Sequence, residues 1–192
     1  GTDKACFGVT EPNAGLNTLK LQTRAVRDGD VYVVHGQKVF ISTAQVANKI
    51  LLLVRTKPVE ECKGTEGLSL FYTDLDRERI EVREIDKLGR KCVDTNQLFI
   101  DGLRIPAEDR IGEEGKGFRY VLHSLNPERI LVAAEAIGLG QGSLARATQY
   151  AKDRNVFGRP IGMNQGIQHP LAESWMELES AFWMVMRSAY LY

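Results

Sequence analysis

The hydrophobic period of this chain changes at the glycine-rich segment 112–117, and this change limits the fold more than any other feature. Before it, short runs of β-branched and aromatic residues alternate with turn residues, which is typical of an antiparallel sandwich or barrel. After it, apolar residues recur every three or four positions, which indicates helices. The sequence therefore predicts an α+β protein: an antiparallel β-barrel or sandwich domain over 1–112, followed over 113–192 by helices of an incomplete bundle.

Eight strands are predicted in the first part, separated by turn signals such as Asp28-Gly29-Asp30 and Asp101-Gly102. The predicted strands are 5–9, 21–27, 31–35, 38–42, 50–55, 68–74, 80–85 and 97–105.

Two helices are predicted in the second part. Asn126-Pro127 resembles an N-cap followed by proline at the first helical position, so a helix is expected to begin or restart there and to run to about Asp153. A second helix is expected from about Gln165 or Leu171 to the end. Its apolar stripe is interpreted as core packing and comprises Trp175, Leu178, Phe182, Met186 and Tyr190. Two such helices cannot close a core alone, so they need further partners.

Composition excludes several functional classes. Lysine plus arginine and aspartate plus glutamate both number 25, so no net charge attracts nucleic acid or an anionic membrane. Cys6, Cys62 and Cys92 lack metal-site spacing and are expected to be free thiols in a reducing, intracellular compartment. The three histidines show no ligand spacing, so no metal site is predicted. No apolar run is long enough for a membrane span.

Two runs in the first part suit a flat heteroaromatic cofactor. They are residues 6–15 (CFGVTEPNAG) and 37–43 (QKVFIST). A flavin ring needs an apolar wall and, along its edge, hydroxyl and backbone N–H groups, which 9–10 and 40–42 supply. The turn at 12–15 can present backbone amides to a pyrophosphate. We therefore interpret the two runs as two sides of one pocket.

The same residues allow a simpler interpretation. Phe40 and Ile41 can be strand core, Thr10 a solvated strand end, and 13–15 an ordinary loop. The sequence alone leaves both interpretations open.

Together with further segments, these runs resemble the acyl-CoA dehydrogenase family of flavoproteins. The resemblance is carried by VTEPNAG at 9–15, FIS at 40–42, Leu88-Gly89, RNVFGRPI at 154–161 and Gln165. Family members have an N-terminal helical domain, a middle β-barrel and a C-terminal helical domain. The resemblance implies that 1–112 is the middle domain, that 113–192 begins the C-terminal domain, and that this fragment is inactive in isolation.

The resemblance also implies FAD as the cofactor. Thr10 would bind the pyrimidine edge of the flavin, Ser42 would lie near N5, Phe40 would back the ring, and Gly15 would allow close approach of the pyrophosphate. The other predicted cofactor-binding residues in this part are Phe7, Val9 and Ile41.

In the family, the residues matching Arg154, Phe157 and Gln165 contact the ADP half of an FAD on a neighbouring subunit. The resemblance therefore implies a homodimer or a homotetramer. The chain departs from the family pattern at 16–17, where Leu-Asn replaces a common Ser-Asp pair. Thr18 is the candidate substitute for the missing phosphate-binding hydroxyl.

Glu128 is the candidate catalytic base, because isovaleryl-CoA and long-chain members of the family use a glutamate at the matching position. In most members the base lies later, beyond the position of Tyr192. An acid in the first turn after Asn126-Pro127 would also be favoured by the helix dipole alone. Arg129 matches a family arginine near the CoA-binding region, with a surface or intersubunit ion pair as the alternative.

The implied function is FAD-dependent oxidation of an acyl-CoA to the trans-2-enoyl-CoA, with electrons passed to an electron-transfer flavoprotein. The implied location is the cytoplasm of a bacterium or the mitochondrial matrix of a eukaryote. Two alternatives remain at this point: an acyl-CoA oxidase that uses oxygen, and a non-catalytic partner subunit on the same scaffold.

Overall fold

A computed structural model describes residues 1–63 and 65–192. It divides the chain into two compact units, Gly1–Leu122 and His123–Tyr192. The strands described in the first unit are β1 Ala5–Gly8, β2 Arg24–Asp28, β3 Val31–Ser42, β4 Lys49–Arg55, β5 Leu68–Asp74, β6 Ile80–Glu84, β7 Thr95–Pro106 and β8 Arg110–Ile111.

The strands of the first unit form one twisted sheet in the order β6-β7-β3-β2-β4-β5-β8, with β1 added beside β4. Most neighbouring pairs are antiparallel, as predicted, but β1 runs parallel to β4 from Ala5↔Lys49 to Gly8↔Leu52. Parallel neighbours need a long crossover connection, and β2 and β3 with their loops provide it. The sheet is therefore mixed, and the α+β class is confirmed.

The core of the first unit lies on the inward face of this sheet. Tyr32 on β3 and Phe71 on β5 meet edge to face, with ring centroids 5.0 Å apart. On β7 the buried residues change from Leu98 and Ile100 to Leu103 and Ile105. The register shifts there, between Val34 and His35 on β3. Asp101-Gly102 is therefore a bulge inside β7 and not a turn between strands.

β3 is a single strand of twelve residues where the sequence predicts two. Gly36 is the position at which the prediction breaks the strand. A Cβ at Gly36 would lie 2.5 Å from Thr23 Oγ1, so glycine is required for the close approach of the neighbouring chain. The glycine therefore allows tight packing within a continuous strand.

The α-helices of the described residues are α1, Gly117–Asp153, and α2, Gln165–Leu191. The predicted end of α1 at Asp153 and the earlier of the two predicted starts of α2, Gln165, are confirmed. A hairpin that the sequence did not predict joins the helices and consists of β9 Asn155–Val156 and β10 Arg159–Pro160.

The predicted start of the first helix at Asn126-Pro127 is wrong, because α1 begins at Gly117 and passes through Pro127. Proline lacks the N–H that would bond the carbonyl four residues earlier, which belongs to His123. The Tyr192 hydroxyl donates a hydrogen bond to that carbonyl, 3.2 Å away. A contact distant in sequence thus compensates for the bond that Pro127 removes.

The second unit leaves much of its apolar surface uncovered. No residue of α2 is fully buried. The interpretation of its stripe as core packing is wrong for Trp175, Met186 and Tyr190, which are exposed. Trp183 and Met184 are exposed as well. This is the arrangement expected for helices of an incomplete bundle. Within the described residues, neither helix has the length and hydropathy needed to cross a bilayer.

Candidate cofactor site

Two hydrogen bonds hold the run at 37–43 against the chain around the run at 6–15. Val39 N–H donates to Thr10 O at 2.9 Å, and Thr43 Oγ1 lies 3.4 Å from Ala5 O, one residue before the first run. Between these bonds lie residues 7–10 at the end of β1 and residues 39–43 at the end of β3. We call these two segments the β1–β3 seam. It contains the predicted residues Phe7, Val9, Thr10, Phe40, Ile41 and Ser42.

Phe40 lies at a distortion of β3. Lys38 pairs with Leu98 but Ile41 pairs with Asn96, so three residues on β3 span the same length as two on β7. Phe40 has φ +61°, which is uncommon for a residue with a side chain and costs roughly 1–3 kcal/mol. Its ring is nevertheless 66% exposed. A strained backbone that holds an apolar ring in solvent is typical of a binding surface.

The structure separates the two interpretations of this segment. The interpretation of Phe40 as strand core is wrong, because its ring is exposed. The interpretation of Ile41 as strand core is confirmed, because its side chain is only 2% exposed. Ile41 can therefore meet a ligand only through its backbone. The Ser42 side chain is exposed, and Thr10 is half-buried beside Val39.

A buried ion pair lies directly behind the seam. The Lys38 ammonium is fully buried and donates to Val9 O at 3.0 Å, Glu11 Oε1 at 2.9 Å and Leu53 O at 2.7 Å. The Glu11 carboxylate also accepts hydrogen bonds from the backbone N–H groups of Gln22 at 2.6 Å and Thr23 at 2.9 Å.

Burial and pairing shift the pKa of each of these two groups in opposite directions. Burial lowers the pKa of Lys38 to about 8, because the attraction of Glu11 only partly offsets the loss of water. Burial by itself raises the pKa of Glu11, but Lys38 and the hydrogen bonds from Thr23 and Gln22 outweigh it and hold that pKa below its ordinary value.

The other end of the seam is held by polar side chains from β7, from the turn after β3 and from the loop between β5 and β6. Asn96 is fully buried, and its Nδ2 donates to Ile41 O at 2.9 Å. Gln45 Nε2 donates to Asn96 Oδ1 at 2.8 Å. Arg77 Nη2 donates to the carbonyls of Ala44 and Ala47 at 2.7 and 2.9 Å. These bonds fix the chain on both sides of Ser42.

The sequence did not predict Lys38, Glu11 and Asn96 as parts of the site. One signal was available for Lys38. Tyr32 and Val34 face inward on β3, and the period of two continues to position 38. A lysine at an inward position of a strand needs a buried partner, which indicates a carboxylate behind the site.

The loop after the seam is closed locally. Glu11 and Ala14 form an isolated bridge with two backbone bonds of 3.1 Å around Pro12-Asn13. Thr18 Oγ1 donates to Gly15 O at 3.3 Å. The hydroxyl proton of Thr18 is therefore already used, which weakens the expectation that Thr18 replaces the family's phosphate-binding serine. Gly15 itself is exposed.

Three other predicted residues lie on the segment that joins α1 to α2 in the second unit and at its end. Arg154 follows α1, Phe157 is at the tip of the β9–β10 hairpin, and Gln165 is the first residue of α2. Phe157 and Gly158 have φ +53° and +77°, the conformation of a type I′ turn. The Phe157 ring is completely exposed at this tip.

Glu128 and Arg129 lie on α1, also in the second unit, and both are exposed. Arg129 Nη1 donates to Asn126 Oδ1 at 3.1 Å. Since α1 begins at Gly117, Glu128 is eleven residues beyond the first helical position. The dipole of a helix acts within its first turn, so the explanation of Glu128 as a dipole-favoured acid is wrong.

The β1–β3 seam thus offers an exposed aromatic wall with hydroxyl and backbone groups beside it, which is the chemistry of a site for a flat, polar-edged cofactor. Two family models match this chain. The model of the acyl-CoA dehydrogenase middle domain matches residues 6–103, and that of the C-terminal domain matches residues 115–192.

Individual relatives point the same way. The chain is 35% identical to a short-chain specific acyl-CoA dehydrogenase of Clostridium acetobutylicum, over 100% of this chain and 50% of that protein. It is 34% identical to the solved butyryl-CoA dehydrogenase of Megasphaera elsdenii, with TM-score 0.86, covering 97% of this chain and 48% of that one. A solved FAD-dependent dehydrogenase has TM-score 0.89 and 28% identity, covering 97% and 50%.

The chain belongs to the acyl-CoA dehydrogenase family. It spans about half the length of the curated relatives that it matches.

Proposed function

We propose that this chain forms the flavin-binding part of an FAD-dependent acyl-CoA dehydrogenase. The observation that carries the proposal is Phe40, an exposed ring held at positive φ beside Thr10 in a chain of this family. We also propose that residues 1–112 act as the middle domain and 113–192 as the start of the C-terminal domain.

The residues of the seam fit the flavin half of FAD. Phe40, with Phe7 and Val9, supplies an apolar wall. Thr10 and Ser42 supply hydroxyl groups for the polar edge of the ring, and the loop that ends at Gly15 supplies backbone amides for the pyrophosphate. The backbone of Ile41 belongs to the same surface, although its side chain does not.

The residues of the hairpin in the second unit fit the adenosine half. Arg154 supplies a permanent cation for a pyrophosphate, the exposed Phe157 ring supplies a stacking surface, and Gln165 supplies an amide at the start of α2. We propose that these three groups act on the FAD of a neighbouring subunit, and therefore that the protein is a homodimer or homotetramer.

The proposed reaction converts an acyl-CoA to the trans-2-enoyl-CoA, with an electron-transfer flavoprotein as the acceptor. Bound FAD supplies an acceptor for the hydride from the β-carbon. This chain would supply the base that takes the α-proton, for which Glu128 is the candidate, and Arg129 as a contact for the CoA moiety. A base on a segment after Tyr192 is the alternative. The free thiols of Cys6, Cys62 and Cys92 support an intracellular location.

The test uses the intact protein that contains this chain, incubated without oxygen with FAD and butyryl-CoA. A yellow preparation whose visible absorbance bleaches with butyryl-CoA, and which then reduces an electron-transfer flavoprotein, supports the proposal. Hydrogen peroxide formed in air at the rate of turnover would indicate an oxidase. A colourless preparation that takes up no FAD would overturn the proposal and favour the non-catalytic scaffold.

Glu128→Gln tests the proposed base separately. Loss of the carboxylate should reduce turnover by at least about a hundredfold while FAD remains bound, because general base catalysis contributes about 10²–10⁴-fold. Glu173→Gln is the matched control, since Glu173 is an exposed carboxylate on α2. Near-normal turnover of Glu128→Gln would remove Glu128 from the mechanism.

A further inference from the structure

Among the described residues, Lys38 is the one lysine whose side chain is completely buried. Two of its three hydrogen-bond acceptors, Val9 O and Glu11 Oε1, come from the loop after β1, and the third, Leu53 O, comes from β4. One ammonium group therefore joins this loop and β4 to β3.

The acceptors of Lys38 lie beside the residues proposed to contact the flavin. Thr10, the proposed contact of the pyrimidine edge, lies between Val9, whose carbonyl accepts from Lys38, and Glu11, whose carboxylate accepts from Lys38. On β3, Lys38 is two residues before Phe40 and directly precedes Val39, whose N–H bonds Thr10 O. The same side chain thus fixes both sides of the seam relative to each other.

Stability alone does not explain this pair. Desolvation of two buried charges often cancels their attraction, and apolar residues of similar volume are commonly as stable or more so. A methionine at position 38 has nearly the same shape as lysine without the desolvation cost. A buried pair in this place therefore indicates a requirement for defined geometry.

We propose that the Lys38–Glu11 ion pair positions the flavin by setting the distance between Thr10 and Phe40. This inference rests on the proposed function. Without the pair, the Val9–Glu11 loop loses its two bonds to Lys38 on β3, and Thr10 can shift relative to Phe40. A misplacement of about 1 Å at a reactive site can lower the reaction rate about a hundredfold. We therefore expect weaker FAD binding and an altered flavin environment.

The test compares three variants of the intact protein. Lys38→Met leaves the Glu11 carboxylate buried without its cation. The double variant Lys38→Met with Glu11→Gln removes both charges, so it separates lost positioning from an unpaired charge. Lys49→Met is the matched control, because Lys49 forms a partly exposed ion pair with Asp74 on the same sheet, 2.6 Å long.

Two measurements are made on each variant. The first is the dissociation constant of FAD together with the flavin reduction potential. The second is hydrogen exchange of the Thr10, Glu11 and Val39 amides without FAD. The double variant should be more stable than Lys38→Met, because it leaves no unpaired charge, but it should bind FAD about ten- to a hundredfold more weakly than the unsubstituted protein, show a shifted potential and exchange these amides faster. The Lys49→Met control should match the unsubstituted protein in each measurement.

The outcomes distinguish the two proposals. If the double variant retains the FAD affinity, the potential and the exchange rates, the pair has no positioning role and the inference is overturned. If the unsubstituted protein binds no FAD, the proposed function fails. The exchange rates still decide whether the pair fixes the loop, since they require no cofactor.

Discussion

Phe40 in the first unit and Phe157 in the second have the same unusual backbone conformation but are held in different ways. Both have positive φ and both rings face solvent. Phe40 is fixed by contacts from distant parts of the sequence, through Lys38 on one side and Asn96 on the other. Phe157 is fixed by a short turn whose bonds join residues between 150 and 164.

This difference indicates how each surface is used. Under the proposed function, the surface around Phe40 has its geometry set before FAD binds, because buried hydrogen bonds hold it. The hairpin at Phe157 has a defined turn but few contacts that fix its ring, which suits a group that becomes ordered against a second molecule. Under the proposed function, that molecule is FAD on a neighbouring subunit.

The largest expected contrast is in stability. Lys38→Met should lower the free energy of unfolding by about 3–5 kcal/mol, because it leaves the Glu11 carboxylate buried without its cation. Phe157→Ala should change it by less than about 0.5 kcal/mol, since the ring is fully exposed. Urea unfolding of both variants measures the difference. Equal effects would show that the two surfaces are supported alike.

The second contrast is in cofactor affinity. Phe40→Ala should weaken FAD binding about tenfold, because an aromatic contact contributes about 0.5–1.5 kcal/mol beyond the area that it buries. This loss should not depend on protein concentration. Phe157→Ala should weaken FAD binding only at concentrations where the protein is assembled. Titrations with FAD at high and low protein concentration, with sedimentation of the same samples, measure both effects.

Two outcomes of this titration would contradict the comparison. A loss for Phe157→Ala that is equally large in the monomer would place both rings on one FAD. An unchanged affinity of Phe40→Ala would remove Phe40 from the flavin wall.

The third contrast is in how the unfolding free energy changes at acidic pH. The pKa of Glu11 is lower in the folded protein than in an unfolded chain, so the folded state binds fewer protons at mildly acidic pH. Its contribution to stability is complete above the ordinary carboxyl pKa of about 4.5 and is lost as the pH falls through the lower, folded value. Glu11→Gln should lack this component. As the pH is lowered, its unfolding free energy should fall less steeply than that of the unsubstituted protein, and the two slopes should differ by up to about 1.4 kcal/mol per pH unit.

The matched control is Glu81→Gln, which removes an exposed carboxylate paired with Arg83. Surface ion pairs contribute little to stability, so this variant should follow the unsubstituted protein through the acid range. If the unfolding free energy of Glu11→Gln also has the same pH dependence as that of the unsubstituted protein, Glu11 is not held in its ionised form by Lys38.

The sequence predicted those parts of the fold that depend on local pattern. The change of period near 112–117, the end of α1 at Asp153 and the start of α2 at Gln165 all follow from neighbours in sequence. It did not predict the parallel pairing of β1 with β4 or the passage of α1 through Pro127. Both depend on partners far along the chain, respectively β4 and the Tyr192 hydroxyl.

The candidate site shows the same division. The residue types of the seam predict the chemistry proposed for it, because a flavin needs an aromatic wall and hydroxyl groups. The exposure of Phe40 and the burial of Ile41 could not be assigned, since the bulge between Lys38 and Ile41 reverses which residues face inward. The partners of Lys38 and Asn96 are visible only once three strands are assembled.

The smallest expected effect tests what Phe40 and Phe157 have in common. Glycine tolerates positive φ, whereas alanine does not, so Phe40→Gly should be more stable than Phe40→Ala by about 0.5–1 kcal/mol, after the larger unfolded-state entropy of glycine is subtracted. Phe157→Gly should exceed Phe157→Ala by a similar amount, because the strain belongs to each residue's own backbone. Val39 is the control, since it is not among the residues of positive φ, and there alanine should be the more stable substitute. Thermal unfolding of the three glycine and alanine pairs gives the differences. A gain at position 157 but none at 40 would mean that the distant contacts of Lys38 and Asn96, and not the residue itself, determine the backbone conformation of the seam.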